Sequence, residues 1–295
     1  AISGMVKIKV FAANDPANVS DVSNATFKIM AKVNVTEPDG GEVFKIGGTY
    51  PVNWTRSGTA MGNISIKFAP NGTNFNQTIV SSMSSGSPYS TSWTVNNTTL
   101  GPSVKLDAVK VKIESIDYPA ETNDSSNASF TIVPNITVTW PDPGNNTLYV
   151  DQNVSIQWTT QGDCDLVNIY FSQNGGGAWG EPINAEAEAN DGCYTWKVPN
   201  LNLQQADSKV KVCNYYYNLT PEEAGGETLN FTIKQWIDMV HPNATDKPQV
   251  GQSYSIQFVP HGSVGYVNAS YNNGSGYLEF VNNTDTTPGD TNKKP

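Results

Sequence analysis

Residues 34–55 read NVTEPDGGEVFKIGGTYPVNWT, and the pattern in this stretch decides the fold. Two glycine pairs flank the short apolar run VFKI, and the segment TYPVNWT then alternates apolar with polar positions. Alternation of this kind between glycine turns predicts short β-strands that bury one face. The stretch therefore opens a β-structured unit, with Trp54 as its aromatic anchor.

This opening recurs twice further along the chain. Trp158 in VSIQWT and Phe258 in YSIQF occupy the place of Trp54, at intervals of about 100 residues. A second anchor, Trp93, recurs as Trp196 at the same interval. A repeat of this length with short alternating strands is typical of a β-sandwich of about seven strands. The sequence predicts an all-β protein of tandem immunoglobulin/fibronectin-III-like β-sandwiches with a split terminal domain.

Each repeat closes on a further pair of alternating segments. VKVKIES and then FTI, from Val109 and Phe130, recur as VKVC and FTI from Val210 and Phe231. Inward Val109, Val111 and Ile113 are expected to alternate with outward lysines. Four segments are predicted: a closing hairpin at 1–32, complete sandwiches at 33–134 and 135–235, and the opening strands of a split repeat at 236–295.

The motif PDGGEVFKIGGTYPVNW resembles the immunoglobulin-like repeats of Ser/Thr-rich, glycosylphosphatidylinositol-anchored cell-wall proteins. That family includes yeast wall proteins linked to β-1,6-glucan assembly. The resemblance covers the first half of each repeat, best at 37–55 and more loosely at 141–159 and 250–258. It implies a place in a cell wall, an extracellular matrix or a fibre, and it brings no catalytic residues.

The two ends of the chain carry complementary parts of one repeat. Residues 1–32 match only the closing strands, whereas 236–295 match only the opening strands. A sandwich without its last strands exposes a core face and an unpaired edge. Because two complete repeats separate the halves, we expect the hairpin to insert into the open domain of a neighbouring subunit. The alternative is that the sequence is a trimmed piece of a longer repeat polypeptide.

Candidate residues for this contact follow from the alternation. The donor side chains are the inward apolar positions of the hairpin, and the acceptor side chains are those of the second opening strand. The donors are Val6, Ile8, Val10, Phe27 and Ile29, and the acceptors are Tyr254, Ile256 and Phe258.

N-glycosylation sequons are about three times more frequent than the composition would produce by chance. Their density indicates a glycan-coated, extracellular protein. The acceptor residues are Asn18, Asn24, Asn34, Asn53, Asn63, Asn71, Asn76, Asn96, Asn97, Asn123, Asn127, Asn135, Asn145, Asn153, Asn218, Asn230, Asn243, Asn268, Asn273 and Asn282.

The charge and the apolar pattern exclude several classes of partner. A net charge of -10 repels nucleic acids and anionic lipid surfaces, and no apolar run is long enough to span a bilayer. The chain starts at Ala1 without an initiator Met, so we expect that a signal or pro-segment has been removed.

Chemical motifs are sparse. His241 and His261 are the only histidines, each expected in a surface loop, and no catalytic triad, metal site or cofactor site is predicted. Of the three cysteines, we favour a disulfide between Cys164 and Cys193, which leaves Cys213 as a thiol or an intersubunit link. The aromatic residues without counterparts in other repeats are candidates for glycan or subunit contacts, or for packing at domain junctions. They are Trp140, Trp179, Trp236, Tyr215, Tyr216 and Tyr217.

The sequence therefore predicts a structural protein rather than an enzyme. The favoured function is a subunit of an extracellular, glycosylated filament, a head-to-tail homopolymer joined by β-strand donation. The alternative function is a monomeric cell-surface adhesin or carbohydrate-binding wall protein, which requires an exposed aromatic platform and a closed third domain.

Overall fold

The computed structural model describes residues 3–58, 61–96, 106–141, 147–200, 205–217 and 225–285. Nearly all regular structure in these ranges is β-strand, and the exception is a 3₁₀ turn at Tyr215–Tyr217. By contacts the chain divides into two compact units, 1–135 with 161–164, and 136–160 with 165–295. The tandem β-sandwich fold predicted from the sequence is confirmed, and the four predicted boundaries stay predictions.

Four short strands form the N-terminal hairpin. They are β1 (Ser3–Val6), β2 (Lys9–Phe11), β3 (Ser20–Val22) and β4 (Phe27–Ile29). β1 pairs with β4 and β2 with β3, both antiparallel. Among the described residues, neither of these two strand pairs is joined to a further strand.

The first sandwich consists of two sheets that face each other across an apolar core. Its strands are β5 (Lys32–Glu37), β6 (Val43–Lys45), β7 (Thr49–Ser57), β8 (Asn63–Ala69), β9 (Gln77–Ser84), β10 (Ser90–Thr94), β11 (Leu106–Ser115), β12 (Asn123–Ser125) and β13 (Phe130–Val133). One sheet has the order β10-β7-β5, and the other β6-β13-β11-β8-β9, with β12 also paired to β11. Trp54, Phe68, Trp93 and Phe130 fill the space between the sheets.

The second sandwich has the same strand order. Its strands are β14 (Asn135–Trp140), β15 (Thr147–Tyr149), β16 (Asn153–Gln161), β17 (Leu166–Ser172), β18 (Glu188–Ala189), β19 (Cys193–Lys197), β20 (Gln205–Asn214), β21 (Gly225–Glu227) and β22 (Phe231–Lys234). Its sheets are β14-β16-β19 and β15-β22-β20-β17-β18, with β21 also paired to β20. The repeat detected in the sequence is thus a repeat of topology.

The C-terminal part contains two strand pairs. They are β23 (Trp236–His241) with β24 (Gln257–His261), and β25 (Tyr266–Asn272) with β26 (Tyr277–Asp285). By position in the repeat these pairs correspond to β5 with β7 and to β8 with β9. No described residue supplies a counterpart of β10, β11 or β13 to these sheets.

Candidate functional site: an open sandwich and an exposed hairpin

The N-terminal hairpin reproduces the pairing of the closing strands of the first sandwich. Val6 is paired with Phe27 as Val109 is paired with Phe130, and both strands are offset by the same 103 positions. The second half of the hairpin keeps this offset, because Lys9 is paired with Val22 where Lys112 is paired with Ser125. The hairpin is therefore the closing element of a repeat, already in its correct register.

The burial of corresponding side chains differs sharply between the two places. In the first sandwich, Val111, Ile113 and Ile132 are at most 1% exposed. Their counterparts in the hairpin, Ile8, Val10 and Ile29, are 57%, 70% and 51% exposed. Phe27 is 38% exposed, and Val6 is half-buried. The five predicted donor residues thus correspond to core residues of the first sandwich. In the hairpin, no comparable core covers them among the described residues.

The C-terminal strand pairs enclose an apolar cleft of about 360 Å³. Ile256 and Phe258, two of the three predicted acceptors, line it. The other lining residues come from β23, β25, β26 and the turn after β23. They are Ile237, Met239, Pro242, Val267, Asn268, Ala269, Ser270, Tyr271 and Phe280. Ile256 and Phe258 correspond to the buried Val52 and Trp54, so the cleft occupies the place of a sandwich core.

Sequence reasoning missed most of this cleft. Val267, Ala269 and Tyr271 alternate along β25 as inward Ile64 and Ile66 do along β8. That period-two signal was available in the segment YVNASY, and alignment with the first repeat would have identified these residues as candidate acceptors.

The third predicted acceptor, Tyr254, has a different environment. Asp246 accepts hydrogen bonds from the Asn243 amide at 2.6 Å and from Tyr254, and its Oδ2 lies 2.8 Å from His241 Nδ1. These hydrogen bonds, the backbone one foremost, lower the pKa of Asp246 to about 2. Desolvation and the hydrogen bond to Asp246 raise the pKa of Tyr254 to about 12. The cluster fixes the connection between β23 and β24 at one end of the cleft.

A second polar cluster holds the start of β23 against the second sandwich. The Trp236 indole donates a hydrogen bond to the Val150 carbonyl at 2.9 Å and stacks on His261 with ring centroids 4.2 Å apart. Asp151 lies 3.0 Å from Lys197 and 3.3 Å from His261. Hydrogen bonds from Lys197 and then His261 hold the pKa of Asp151 below its usual value. The open sheets are thus attached at a defined point.

Both histidines were expected in surface loops, and this expectation is wrong. His241 ends β23 and His261 ends β24, and each ring contacts a carboxylate. Among the described residues, no group of three or more His, Cys, Asp or Glu side chains is placed to hold a metal ion. The described part of the chain contains no helix of the length and hydropathy needed to cross a membrane.

The sequon asparagines are accessible wherever the structure describes their side chains. Asn53 and Asn135 are half-buried, and the other described ones are exposed. Asn97, Asn145 and Asn218 lie outside the described residues, as does the side chain of Asn282. The buried asparagines, Asn168, Asn184 and Asn214, all lie outside sequons. Burial therefore separates the asparagines with a structural role from those in acceptor motifs.

Four of the six aromatic residues without counterparts divide into two groups. Trp179 covers the Lys211 ammonium, 4.2 Å from its ring centroid, and Trp236 stacks on His261, so both serve internal packing. Tyr215 and Tyr216 are exposed, but their rings meet edge to face at 80°. This geometry does not provide a flat platform for sugar rings.

The cysteines occupy three different environments in the second repeat. Cys164 is buried in the turn between β16 and β17, Cys193 is exposed at the start of β19, and Cys213 is buried on β20. The bond between Cys164 and Cys193 stays a prediction.

Comparison with known proteins identifies no family. No family model matches the chain, and no curated protein matches it. Among solved structures, the fibronectin(III)-like modules of Clostridium thermocellum CbhA share 18% identity over 68% of this chain and 91% of theirs, with a TM-score of 0.23. The N-terminal four Ig domains of Dscam1 isoform 6.9 share 9% identity over 74% of this chain, with a TM-score of 0.27. The chain spans about half of that Dscam1 fragment, 52%. Likeness at these TM-scores carries no argument, and the fold assignment rests on the strand order itself.

Proposed function

We propose that this protein is a structural subunit of an extracellular, N-glycosylated filament, assembled head-to-tail by β-strand donation. The hairpin of one subunit inserts between the open sheets of the next and completes a sandwich there. The function is mechanical, and no catalytic step belongs to it.

The observation that carries the proposal is the complementarity of the two half-repeats. The hairpin has the register of β11 with β12 and β13, and its apolar side chains are exposed. The C-terminal sheets have an apolar cleft and lack the strands that the hairpin would replace, as far as the described residues go. Burial of one exposed Ile or Val side chain contributes about 1.5–3 kcal/mol, and Ile8, Val10 and Ile29 are each more than half exposed in the hairpin. Their burial would support a durable contact.

A second copy of the chain is the natural source of the missing strands. Donor and acceptor are different surfaces, so the contact is heterologous and each added subunit exposes a new acceptor. Charge supports this pairing. Residues 1–32 contain four lysines and two aspartates, so their net charge is +2. Residues 236–285 contain four acidic residues and one lysine, so their net charge is -3.

The sequons support the extracellular placement. Their accessible asparagines are spread over both complete sandwiches and the two half-repeats. A glycan coat at these positions covers the exposed faces and edges of the sheets, which protects them from unwanted pairing. The resemblance of residues 37–55 to repeats of cell-wall proteins supports the same location.

The test is imaging of the native protein beside a Phe27→Asp variant. Filaments are expected from the unmodified chain, with an axial repeat close to three sandwich lengths, whereas Phe27→Asp should give only dispersed particles. The variant places a carboxylate where the first sandwich has Phe130, and burial of an unpaired charge is strongly unfavourable. Residues 34–234 should keep their thermal unfolding, because Phe27 is outside their core.

Lys28→Gln is the matched control, since Lys28 is the adjacent, exposed position on β4, and it should form filaments normally. Normal filaments from Phe27→Asp, or dispersed particles from the unmodified protein, would contradict the proposal. An intact mass of the native polypeptide far above that of this chain with its glycans would favour a continuous repeat protein instead.

A monomeric, carbohydrate-binding surface protein remains the second candidate. The observation in its favour is the exposure of Tyr215 and Tyr216. Their edge-to-face rings do not form a flat sugar-binding platform. The third repeat is open among the described residues, whereas this candidate function requires a closed one.

A further inference from the structure

We infer that the donated hairpin pairs with β25 of the second copy in one specific register, with Lys9 opposite Ser270 and Lys7 opposite Asn272. This inference rests on the proposed function and specifies its contact at the level of single residues. It follows from the first sandwich, which contains the same two elements already joined.

The first sandwich supplies the template. There β11 is antiparallel to β8, with Lys112 opposite Lys67 and Lys110 opposite Ala69. The hairpin lies 103 positions before β11 in the repeat, and β25 lies 203 positions after β8. Transfer of these offsets places Lys9 opposite Ser270 and Lys7 opposite Asn272.

The edge of β25 is available for this pairing. β25 pairs with β26 on one side, and no described strand pairs with its other edge. In the first sandwich β8 has β9 on one side and β11 on the other. The hairpin thus meets β25 where β11 meets β8.

The alternation of side chains along the hairpin makes a register shifted by one residue unfavourable. In the inferred register Ile8 is opposite Tyr271 and Val10 is opposite Ala269. These two β25 residues correspond to Phe68 and Ile66 of β8, which are buried in the first sandwich. A shift by one position turns Ile8 and Val10 to the outer face and directs Lys9 into the apolar cleft. Burial of an unpaired ammonium makes that arrangement unfavourable.

The inferred register also places opposite charges on neighbouring strands of the completed sheet, about 10 Å apart across β25. Lys9 lies opposite Ser270 in this register. Ser270 borders the cleft and is exposed, and it is paired with Glu279 of β26 on its other side. The three residues form a row across the strands with opposite charges at its two ends. In the first sandwich the counterpart of Lys9, Lys112, lies 2.7 Å from Glu114, so a lysine at this position already has an ion-pairing role.

The register is tested by disulfide trapping in the full-length chain, with Cys193→Ser in every variant to remove the exposed native thiol. Lys9→Cys with Ser270→Cys, and Lys7→Cys with Asn272→Cys, are the matched pairs. Directly opposite residues in antiparallel strands lie within the Cα distance that a disulfide accepts. Oxidation of assembled protein should convert the monomer band of both matched pairs into a covalent ladder on non-reducing gels.

The exchanged pairs are the controls. They combine the same four substitutions differently: Lys9→Cys with Asn272→Cys, and Lys7→Cys with Ser270→Cys. In each exchanged pair the two cysteines are displaced by two residues from the inferred register, so the monomer band should persist. Filaments with a ladder mainly in an exchanged pair would overturn the register and leave strand donation intact. Absence of filaments from the unmodified protein would overturn both proposals. All four substituted positions are exposed, and thermal unfolding of each variant verifies that it is folded.

Discussion

At the level of single residues, Asp151 shows how one repeat adapts a shared backbone. It has φ 63°, and the corresponding positions in the other repeats are Gly47 and Gly251, with φ 85° and 82°. Aspartate is one of the few residues that tolerate this left-handed conformation. Its carboxylate then binds Lys197 and His261, which glycine cannot do. A conserved turn geometry therefore acquires an ionic contact to the C-terminal sheets.

The two core tryptophans offer a matched comparison at the same scale. Trp158 donates its indole hydrogen bond to Asn190 Oδ1 at 2.6 Å, whereas Trp54 Nε1 has no partner among the described residues. Both rings are buried. The third repeat has Phe258 at this position.

Trp158→Phe should therefore lower the free energy of unfolding more than Trp54→Phe does. The two substitutions remove similar apolar area, but only the first breaks a hydrogen bond, which is worth about 0.5–1.5 kcal/mol net. Denaturant titration of the full chain measures both. An equal or larger loss for Trp54→Phe would show that the difference in hydrogen bonding has no energetic weight.

At the level of elements, the hairpin and β11 have the same pairing but different surroundings. β11 lies inside a six-stranded sheet over a core, whereas each described strand of the hairpin is hydrogen-bonded to one partner strand only. An isolated two-stranded hairpin is marginally stable in water. In the proposed filament, its stability would come from the neighbouring subunit.

Hydrogen exchange should report this difference directly. In dispersed subunits the amides of β2 and β3 should exchange fast, and in filaments they should become protected as β25 and the cleft cover them. β11 is the internal reference, because its amides should be protected in both states. Unchanged exchange of β2 and β3 on assembly would mean that the filament contact lies elsewhere.

At the level of the whole molecule, charge is distributed unevenly. The chain carries -10 overall, and yet residues 1–32 carry +2. The positive hairpin belongs to an otherwise acidic protein, so attraction would favour its approach to the proposed acceptor of another copy.

Assembly of dispersed subunits should accordingly slow down as ionic strength rises. Salt at about 1 M reduces the screening length to about 3 Å and removes the steering term. Light scattering after dilution into increasing NaCl gives the rate. The double variant Lys7→Gln with Lys9→Gln should assemble more slowly at low salt, and its assembly rate should depend little on salt. If the assembly rate of the unmodified protein does not change with salt, electrostatic steering is contradicted.

Much of the fold and part of the candidate site were predictable from local patterns. The alternation around Trp54 and its recurrence at Trp158 predicted the strands and the repeat, and Val111 and Ile113 are buried as their period-two spacing required. The apolar positions of the hairpin, which are the proposed donors, follow from the same spacing. The histidines were not, since a pattern of neighbours does not show that His261 meets Asp151 from 110 positions away.

The sequence by itself determined the strands, their inward faces, the repeat and the sequons, because all of these depend on short-range periodicity and on motifs of a few residues. Only the tertiary structure decided the register of the hairpin, the contact between His261 and Asp151, and the burial that separates Asn168 from the sequon asparagines. These features depend on contacts between residues far apart in the chain. Pairing and packing in three dimensions select such contacts, and no local pattern encodes them.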